Sequence, residues 1–403
     1  MTVVDFVKSK FLAAKLLAYR KLYIPIASRR LQKKENIRVL FILINLGAWK
    51  TESLYREMLR NPRFTPILLL SKCSEEDDTA NLLAYCRKKG YDYELNEPYS
   101  EDMWPKFRPD IIFYQKPYGG EFIHNLKSLF CFTCYGFRIS EAKWGYDLGY
   151  LYNCWQIYHE NEKMNRVAER IMGRGTNNGY HTGIPMMDEL LAPKENSEDP
   201  WKQSSGKKRI IFAPHHSVSI GSLFKVSTFL QSGELMLEIA EKYSDRVQWA
   251  FKPHPLLRYK LEQIWGKEKT AQYYDRWATA EWSQYESGKY LGLFNHSDAL
   301  IHDCASFTIE YLYTLKPVMY LTSTGRPNQE YNWMAKQAFE LHTKGIIREE
   351  IESFIEDVLE CKNRNVEEKK AFIQSELTPP FQQTAAKNII DCILSREAAA
   401  KMK

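Results

Sequence analysis

The stretch NHSDALIHDCASFTIEYL, residues 295–312, decides the fold. An apolar run ends at Ile301, small and polar residues follow, and a helical pattern begins near Ser306 or Phe307. This order predicts a buried strand, a turn and a helix, the unit from which parallel sheets with helices on both faces are built. The free N–H groups of the helix start, together with the hydroxyls of Ser306 and Thr308, suit a diphosphate, whose charge the helix dipole favours.

Five side chains of this stretch are predicted to bind an activated donor: His302, Asp303, Ser306, Thr308 and Glu310. Glu310 lies about one turn into the predicted helix, where its carboxylate can accept hydrogen bonds from ribose hydroxyls. A purely structural alternative stands beside this interpretation. Ser306 then only caps the helix, and Glu310 is only a carboxylate of its first turn.

A second motif, AFKPHP at residues 250–255, directly follows another apolar run. Its two prolines stiffen the loop at the end of the predicted strand. A cation at Lys252 and an imidazole at His254 can neutralise the charge that develops on a phosphate. We therefore predict Lys252 as a donor-binding residue and His254 as a catalytic residue.

A third motif, IFAPHHS at residues 211–217, again joins a strand pattern to polar residues. His215 and His216 are predicted catalytic residues that can contact phosphate, base or acceptor. No metal site is predicted, because the side chains of neighbouring residues are expected to diverge and no further ligand is evident nearby.

Short apolar runs alternate with longer periodic stretches from Ile37 onward, which predicts two α/β domains with doubly wound, Rossmann-like sheets facing each other across a cleft. The predicted strands are 38–45, 66–71, 110–115, 129–135, 155–158, 208–213, 247–251, 299–301 and 318–320. The predicted helices include 51–60, 75–89 and 229–243, followed by a helical tail from Arg348.

The expected domain boundaries follow changes in composition. The predicted organisation is a basic amphipathic segment (1–34), an N-terminal acceptor domain (35–190), a polar linker (191–208), a C-terminal nucleotide-donor domain (209–375) and a C-terminal helix (376–403).

The overall composition excludes several classes of protein. A formal charge of +6 is small for 403 residues, and both signs are interspersed, which argues against nucleic-acid binding. The eight cysteines lie mostly in apolar runs with no secretory signal before them, so we expect reduced thiols in a cytoplasmic protein. Cys131 and Cys134 form a CxxC without the second pair that a zinc site needs. The sequence contains no run of about twenty apolar residues, so no membrane-spanning helix is predicted.

The N-terminal segment combines apolar residues at roughly helical spacing with many lysines and arginines, opposed only by Asp5. Such a segment suits the surface of an anionic membrane, and it predicts a peripheral protein at the inner face of the cell membrane. An ordinary helix packed on the first domain with a solvated basic face is the alternative. Mitochondrial targeting is a further alternative, although the segment is not rich in Ser.

The three motifs, in this order, resemble the C-terminal half of the CDP-glycerol glycerophosphotransferases, the family of teichoic acid primases and polymerases. The matching residues are Ala213-Pro214, Lys252-Pro253-His254-Pro255, the run Ser297 to Ser306, Glu310-Tyr311 and Pro317, preceded by Thr182-Gly183-Ile184-Pro185-Met186-Met187-Asp188. The resemblance covers roughly residues 110 to 330. It implies a GT-B-type fold and contacts of His254 and Ser306 with the donor's phosphates.

Two positions depart from the family pattern. The family's His-Gly-Thr segment, which carries the proposed catalytic base, corresponds most closely to Tyr135-Gly136-Phe137, and Tyr is a poor base at neutral pH. The first Ser of the family's Ser-Ser pair is Ala305. His215 and His216 are candidate substitutes for the base; weaker candidates in the first domain are Glu121, His124 and His159.

The resemblance implies transfer of a polyol phosphate, glycerol or ribitol phosphate, from a CDP donor to a surface-glycan or lipid-linked acceptor, without metal or other cofactor. A GT-B glycosyltransferase that uses a nucleotide sugar for surface polysaccharide is the alternative within the same fold. Two further alternatives are a nucleotide-binding relic that has lost its base and a sugar-nucleotide epimerase. The epimerase would need no acceptor and no membrane contact.

Overall fold

The computed structural model describes residues 3–71, 79–96, 106–115, 126–142, 146, 151–173, 178–202, 206–218 and 226–403. The chain forms two compact units. The first comprises Met1–Gly136, Glu141–Glu189 and Leu377–Lys403, and the second comprises Phe137–Ser140 and Leu190–Glu376.

The first unit contains a parallel sheet of seven strands in the order β3-β2-β1-β4-β5-β6-β7. Its strands are β1 (Ile37–Leu43), β2 (Phe64–Ser71), β3 (Tyr93–Asn96), β4 (Ile111–Tyr114), β5 (Leu129–Thr133), β6 (Gln156–His159) and β7 (Gly179–His181). The order reverses between β1 and β4, so the sheet is doubly wound.

The second unit contains a parallel sheet of six strands in the order β10-β9-β8-β11-β12-β13. Its strands are β8 (Lys208–Ala213), β9 (Val247–Phe251), β10 (Ser283–Tyr285), β11 (Ala299–His302), β12 (Val318–Leu321) and β13 (Thr343–Gly345). The order reverses between β8 and β11, and doubly wound sheets bind ligands at the carboxyl ends of the strands at such a point. The predicted class of two doubly wound α/β domains is confirmed.

Helices connect the strands of both sheets. They are α1 (Val3–Ala18), α2 (Ile24–Gln32), α3 (Glu52–Arg60), α4 (Thr79–Lys89), α5 (Glu162–Met172), α6 (Pro185–Leu190), α7 (Phe229–Lys242), α8 (Leu257–Ile264), α9 (Lys267–Thr279), α10 (Leu291–Asn295), α11 (Phe307–Glu310), α12 (Trp333–Glu340), α13 (Arg348–Leu359), α14 (Val366–Glu376), α15 (Ala385–Leu394) and α16 (Arg396–Lys401). A π-helical turn at Tyr19–Tyr23 joins α1 to α2. Short 3-10 turns lie at Leu151–Asn153, Lys194–Asn196, Tyr311–Thr314 and Pro380–Gln382.

The segment predicted as a linker packs against the second unit where it is described. The buried indole of Trp201 donates to the carbonyl of Leu293 at 3.4 Å, and Arg209 pairs with Asp199 at 2.8 Å. Lys194 donates to the carbonyl of Thr314 at 3.0 Å. The polar segment therefore packs on the second unit, because Trp201, Asp199 and Lys194 anchor it.

The C-terminal helices return to the first unit through the Thr182–Asp188 motif. The carboxylate of Asp188 accepts hydrogen bonds from the backbone N–H groups of Ala385 and Ala386 at 2.7 and 2.9 Å, at the N-terminus of α15. Gly183 has a positive φ of 78°, and an added Cβ would lie 3.0 Å from the Cβ of Pro379. Part of this motif thus docks the end of the chain.

The N-terminal segment buries some of its side chains in the first unit and leaves others exposed. Tyr19 and Leu31 are buried in the first unit, and the Tyr19 hydroxyl donates to the carbonyl of Ser128 at 2.6 Å. In contrast, Phe11, Leu22 and Ile26 are 74%, 63% and 49% exposed. The segment therefore combines helix packing on the first unit, which one alternative predicts, with an uncovered apolar surface, which the other predicts. Among the described helices, none is long and apolar enough to cross a bilayer.

We predict that Gly183→Ala destabilises the protein more than Gly90→Ala, although both glycines have positive φ. The left-handed conformation costs an alanine about 1–2 kcal/mol at either site. Only at Gly183 does the new Cβ meet other atoms closely, whereas nothing lies within 4 Å of the position at Gly90. Urea unfolding is expected to show about 1–3 kcal/mol of additional loss for Gly183→Ala. Equal losses would contradict the close docking of the C-terminal segment.

Candidate functional site

The site is built at the carboxyl edge of the second sheet, around the point where the strand order reverses. The loop Pro214–Ser217 follows β8, Lys252–Pro255 follows the neighbouring β9, and Asp303 follows β11. The backbone N–H of His254 donates to the carbonyl of Pro214 at 3.0 Å, which joins the two histidine loops. Parallel pairing therefore brings together motifs that lie far apart in sequence.

Three histidines form a cluster at this edge. The ring centroid of His216 lies 4.3 Å from that of His215 and 4.1 Å from that of His254. The ring centroids of His215 and His254 are 5.2 Å apart. One ring nitrogen from each lies within 4.8 Å of the others, and all three side chains are partly exposed. The expectation that neighbouring His215 and His216 diverge is wrong, because the chain bends at His216 instead of continuing as a strand.

The spacing of this cluster would suit a metal ion, but the hydrogen bonds of two of its rings suit an anion better. Nδ1 of His215 accepts the backbone N–H of Ser217 at 3.3 Å, and Nδ1 of His254 accepts that of Leu256 at 3.2 Å. A neutral ring whose Nδ1 accepts carries its proton on Nε2. These rings therefore offer Nε2–H donors, whereas a metal needs a lone pair.

Burial keeps the imidazoles of His215 and His216 uncharged near neutral pH. It lowers the pKa of His215 to about 3, with a further contribution from His216. Burial, followed by the charge of Lys260, lowers the pKa of His216 to about 4. At pH 7 both rings are neutral, so they can bind a phosphate through N–H groups but contribute no full positive charge.

A buried carboxylate holds the loops in place. Asp303 Oδ1 accepts the backbone N–H of His215 at 2.6 Å. Its Oδ2 accepts the hydroxyl of Ser227 at 3.0 Å, and the backbone N–H and hydroxyl of Thr228 at 2.5 and 3.1 Å. Burial raises the pKa of Asp303 to about 6, although these four donors favour the ionised form. Asp303 thus fastens β11 to the β8 loop and to the start of α7.

The other predicted donor-binding residues occupy different depths. Four of them are buried: Lys252, His302, Thr308 and Glu310. The Thr308 hydroxyl donates to the carbonyl of Cys304 at 3.1 Å, and the Tyr290 hydroxyl donates to the Glu310 carboxylate. Ser306 is partly exposed just before α11 and makes no capping hydrogen bond through its side chain. Direct contact of His302, Thr308 and Glu310 with a donor stays a prediction.

Three functional partners escaped the sequence analysis. Ser227 and Thr228 bind Asp303, and Tyr290 binds Glu310. The aspartate and the glutamate were predicted, but no motif links Asp303 to side chains 76 and 75 positions away or Glu310 to one 20 positions away. Only the fold provides those contacts.

The first unit offers less evidence for a catalytic base. Tyr135, in the place of the family's base, follows β5 with an exposed side chain, and its backbone N–H donates to the carbonyl of Gln115 at 3.0 Å. His159 is buried at the end of β6. Glu121 and His124 lie outside the described residues.

We predict that acidification destabilises the protein through its buried histidines. Burial lowers the pKa of His342 well below its usual value, and that of His302 to about 3. Between about pH 6.5 and 5 these imidazoles bind protons in the unfolded chain but stay neutral in the folded protein. The free energy of unfolding therefore decreases as the pH is lowered. Unfolding free energies at pH 7 and 5 should show about 2 kcal/mol less acid loss for His342→Gln than for the unmodified protein.

Measurement at pH 8 provides the control for this variant. Imidazoles are neutral there in both the folded and unfolded states, so the remaining difference is the cost of altered packing. Parallel pH dependence of the two proteins would contradict the burial of a neutral His342.

Comparison with solved structures shows the fold. The chain is similar to a protein described as a UDP-N-acetylglucosamine 2-epimerase from Listeria monocytogenes, with 14% identity, a TM-score of 0.60, and coverage of 91% of this chain and 98% of that one. It is equally similar to the wall teichoic acid polymerase TagF, with 14% identity, a TM-score of 0.59 and full coverage of both chains. A TagF variant soaked with CDPG gives 14% identity, a TM-score of 0.58 and the same coverage. No curated protein matches the sequence.

A family model gives the more specific result. The model of CDP-glycerol:poly(glycerophosphate) glycerophosphotransferase matches residues 149–390, more than half of the chain and including all three strand-end motifs. The match agrees with the resemblance that those motifs indicate, and the fold is of the GT-B type. The chain therefore belongs to the CDP-glycerol:poly(glycerophosphate) glycerophosphotransferase family.

Proposed function

We propose that the protein transfers a polyol phosphate, glycerol or ribitol phosphate, from a CDP donor to a surface-glycan or lipid-linked acceptor. A hydroxyl oxygen of the acceptor attacks the β-phosphorus, the bond from that phosphorus to the bridging oxygen breaks, and CMP leaves. The hydroxyl proton passes to a base. The observation that carries this proposal is the family match across the unit that holds the histidine cluster.

The geometry of the second unit supports binding of the donor's diphosphate. His215 and His254 present Nε2–H donors at the carboxyl edge of adjacent strands, and the Lys252 amine lies in the same loop as His254. Preorganised donors at a phosphate stabilise the charge that grows on its oxygens during transfer. With these groups supplying the stabilisation, the proposed reaction needs no metal or other cofactor.

His216 is the best-placed candidate for the base. Its Nδ1 is buried without a hydrogen-bond partner among the described residues, beside the two imidazoles assigned to the diphosphate. Its low pKa in the ligand-free protein weakens it as a base, but a bound dianion would raise that pKa by favouring the imidazolium. A histidine on the second unit would then do the work that the family's His-Gly-Thr segment performs.

We further propose that the protein works at the inner face of the cell membrane, where the first unit receives the acceptor. Phe11 in α1, Leu22 in the π-helical turn and Ile26 in α2 are large apolar side chains, and all are exposed. Lys15, Arg20, Lys21 and other exposed basic residues accompany them. An uncovered apolar helix surface flanked by cations fits an anionic lipid surface, which covers the apolar groups and attracts the charges.

We predict that His254→Ala lowers kcat for CDP-glycerol or CDP-ribitol by about 10²–10³, because one preorganised donor to the phosphate is lost. Release of CMP in the presence of acceptor is the measurement. His296→Gln is the matched control: this partly exposed histidine of the same unit contacts Ser197 and lies outside the cluster, so activity should be kept.

Screening of donors distinguishes a CDP-polyol phosphotransferase from a glycosyltransferase of the same fold. Turnover of UDP- or CMP-sugars without any turnover of CDP-polyols would show a glycosyltransferase instead. Retained activity in His254→Ala would mean that the diphosphate lies elsewhere.

We predict that replacing Phe11, Leu22 and Ile26 together by Ser lowers binding to phosphatidylglycerol vesicles by at least about tenfold, since each buried side chain contributes about 1.5–3 kcal/mol. Co-sedimentation with vesicles measures this. The matched control replaces the exposed Leu191 and Leu230 of the second unit by Ser and should leave binding intact. Deleting residues 1–34 is a poorer test, because it removes the buried Tyr19 and Leu31. Unchanged binding of the triple variant would exclude this surface.

A further inference from the structure

Two histidines that follow strands share one local hydrogen bond. Nδ1 of His215 and Nδ1 of His254 each accept the backbone N–H of the second residue after the histidine, at 3.3 and 3.2 Å. A backbone N–H can only donate, so each Nδ1 is unprotonated and each neutral ring carries its proton on Nε2. The same contact recurs after β8 and β9 and favours the Nε2–H tautomer of each ring.

At His215, the hydroxyl of Ser217 reinforces this arrangement. Its buried hydroxyl oxygen accepts the backbone N–H groups of Val226 and Ser227 at 3.2 and 3.1 Å. With both lone pairs engaged, the hydroxyl proton is left to donate to Nδ1 of His215, 2.9 Å away. Nδ1 of His215 thus faces two donors from the same residue.

The tautomer decides what His215 offers to an anion. With the proton on Nε2, the ring directs an N–H at a phosphate oxygen, whereas the other tautomer would direct a lone pair at it. A protonated ring would donate in either case, but burial keeps this imidazole neutral at pH 7. The neutral ring of His215 can therefore donate to a phosphate only when its tautomer places the proton on Nε2.

The neighbouring His216 lacks this contact. The backbone N–H of Val218, two residues further on, donates to the carbonyl of His216 at 2.8 Å and not to its ring. Nδ1 of His216 has no partner among the described residues. The cluster therefore combines a ring with a fixed proton and a ring whose proton can move.

Building on the proposed function, we propose that Ser217 is a positioning residue that holds His215 as an Nε2–H donor to the diphosphate of the CDP-polyol. The hydroxyl acts through the imidazole and does not touch the donor. His216, next to it, stays able to exchange a proton.

Ser217→Ala tests the proposal, with Ser217→Thr as the rescuing variant. Nitrogen-15 NMR of the full-length, ligand-free protein reads the tautomer, with the His215 signals assigned by their loss in His215→Gln. We expect an unprotonated Nδ1 in the unmodified protein, a mixed tautomer in Ser217→Ala and recovery in Ser217→Thr. We also expect KM for CDP-glycerol to rise about tenfold in Ser217→Ala, with a smaller change in kcat.

Ser283→Ala is the matched control, since its equally buried hydroxyl donates to the carbonyl of Trp277 and touches no histidine. It should change neither the tautomer nor KM. A protonated Nδ1 in the unmodified protein, or an unchanged tautomer and KM in Ser217→Ala, would overturn the role of Ser217. If the unmodified protein turned over no CDP-polyol, the proposed function would fail. The NMR result is obtained without substrate, so it would still show whether Ser217 sets the tautomer of His215.

Discussion

The candidate site depends on one buried carboxylate. Asp303 gathers four donors from the β8 loop and the start of α7, and it sits at the end of β11, where the order of the second sheet reverses. A buried carboxylate is stable only when such donors replace the water that it has lost. Its position beside the N-terminus of α7 adds the favourable field of the helix. The constraint reaches His215 through the backbone, so the imidazole is held by its loop before any ligand arrives.

The central strands could be predicted from the sequence, whereas the edge strands could not. β8 and β9 were predicted with their observed bounds, since Ile210–Ala213 and Val247–Phe251 are buried, mostly apolar runs. The four missed strands, β3, β7, β10 and β13, are the outermost strands of the two sheets. Each has only three or four residues and carries polar groups, as in Ser283–Tyr285 and Thr343–Gly345. Short strands with one neighbour need little apolar surface, so they leave little pattern to read.

The site could be predicted in composition but not in geometry. The three motifs identified the histidines and Asp303, since strand ends of a parallel sheet meet at one edge. Whether a side chain points outward or inward depends on the bend after each strand. The bend at His216 turns two neighbouring imidazoles toward His254. In contrast, His302 is the last residue of β11, in register with Ala213, and it stays inside the sheet with its ring centroid 5.3 Å from that of His342. The return of residues 377–403 to the first unit rests on Asp188 and Gly183, contacts that no local pattern encodes.

The central claim is that the histidine cluster of the second unit binds the diphosphate of a CDP donor. A crystal structure of the full-length protein with CDP would test it most directly. Phosphate oxygens are expected within hydrogen-bond distance, about 2.7–3.2 Å, of Nε2 of both His215 and His254. A diphosphate bound away from both imidazoles, or a metal ion held by the three histidines in its place, would contradict the claim.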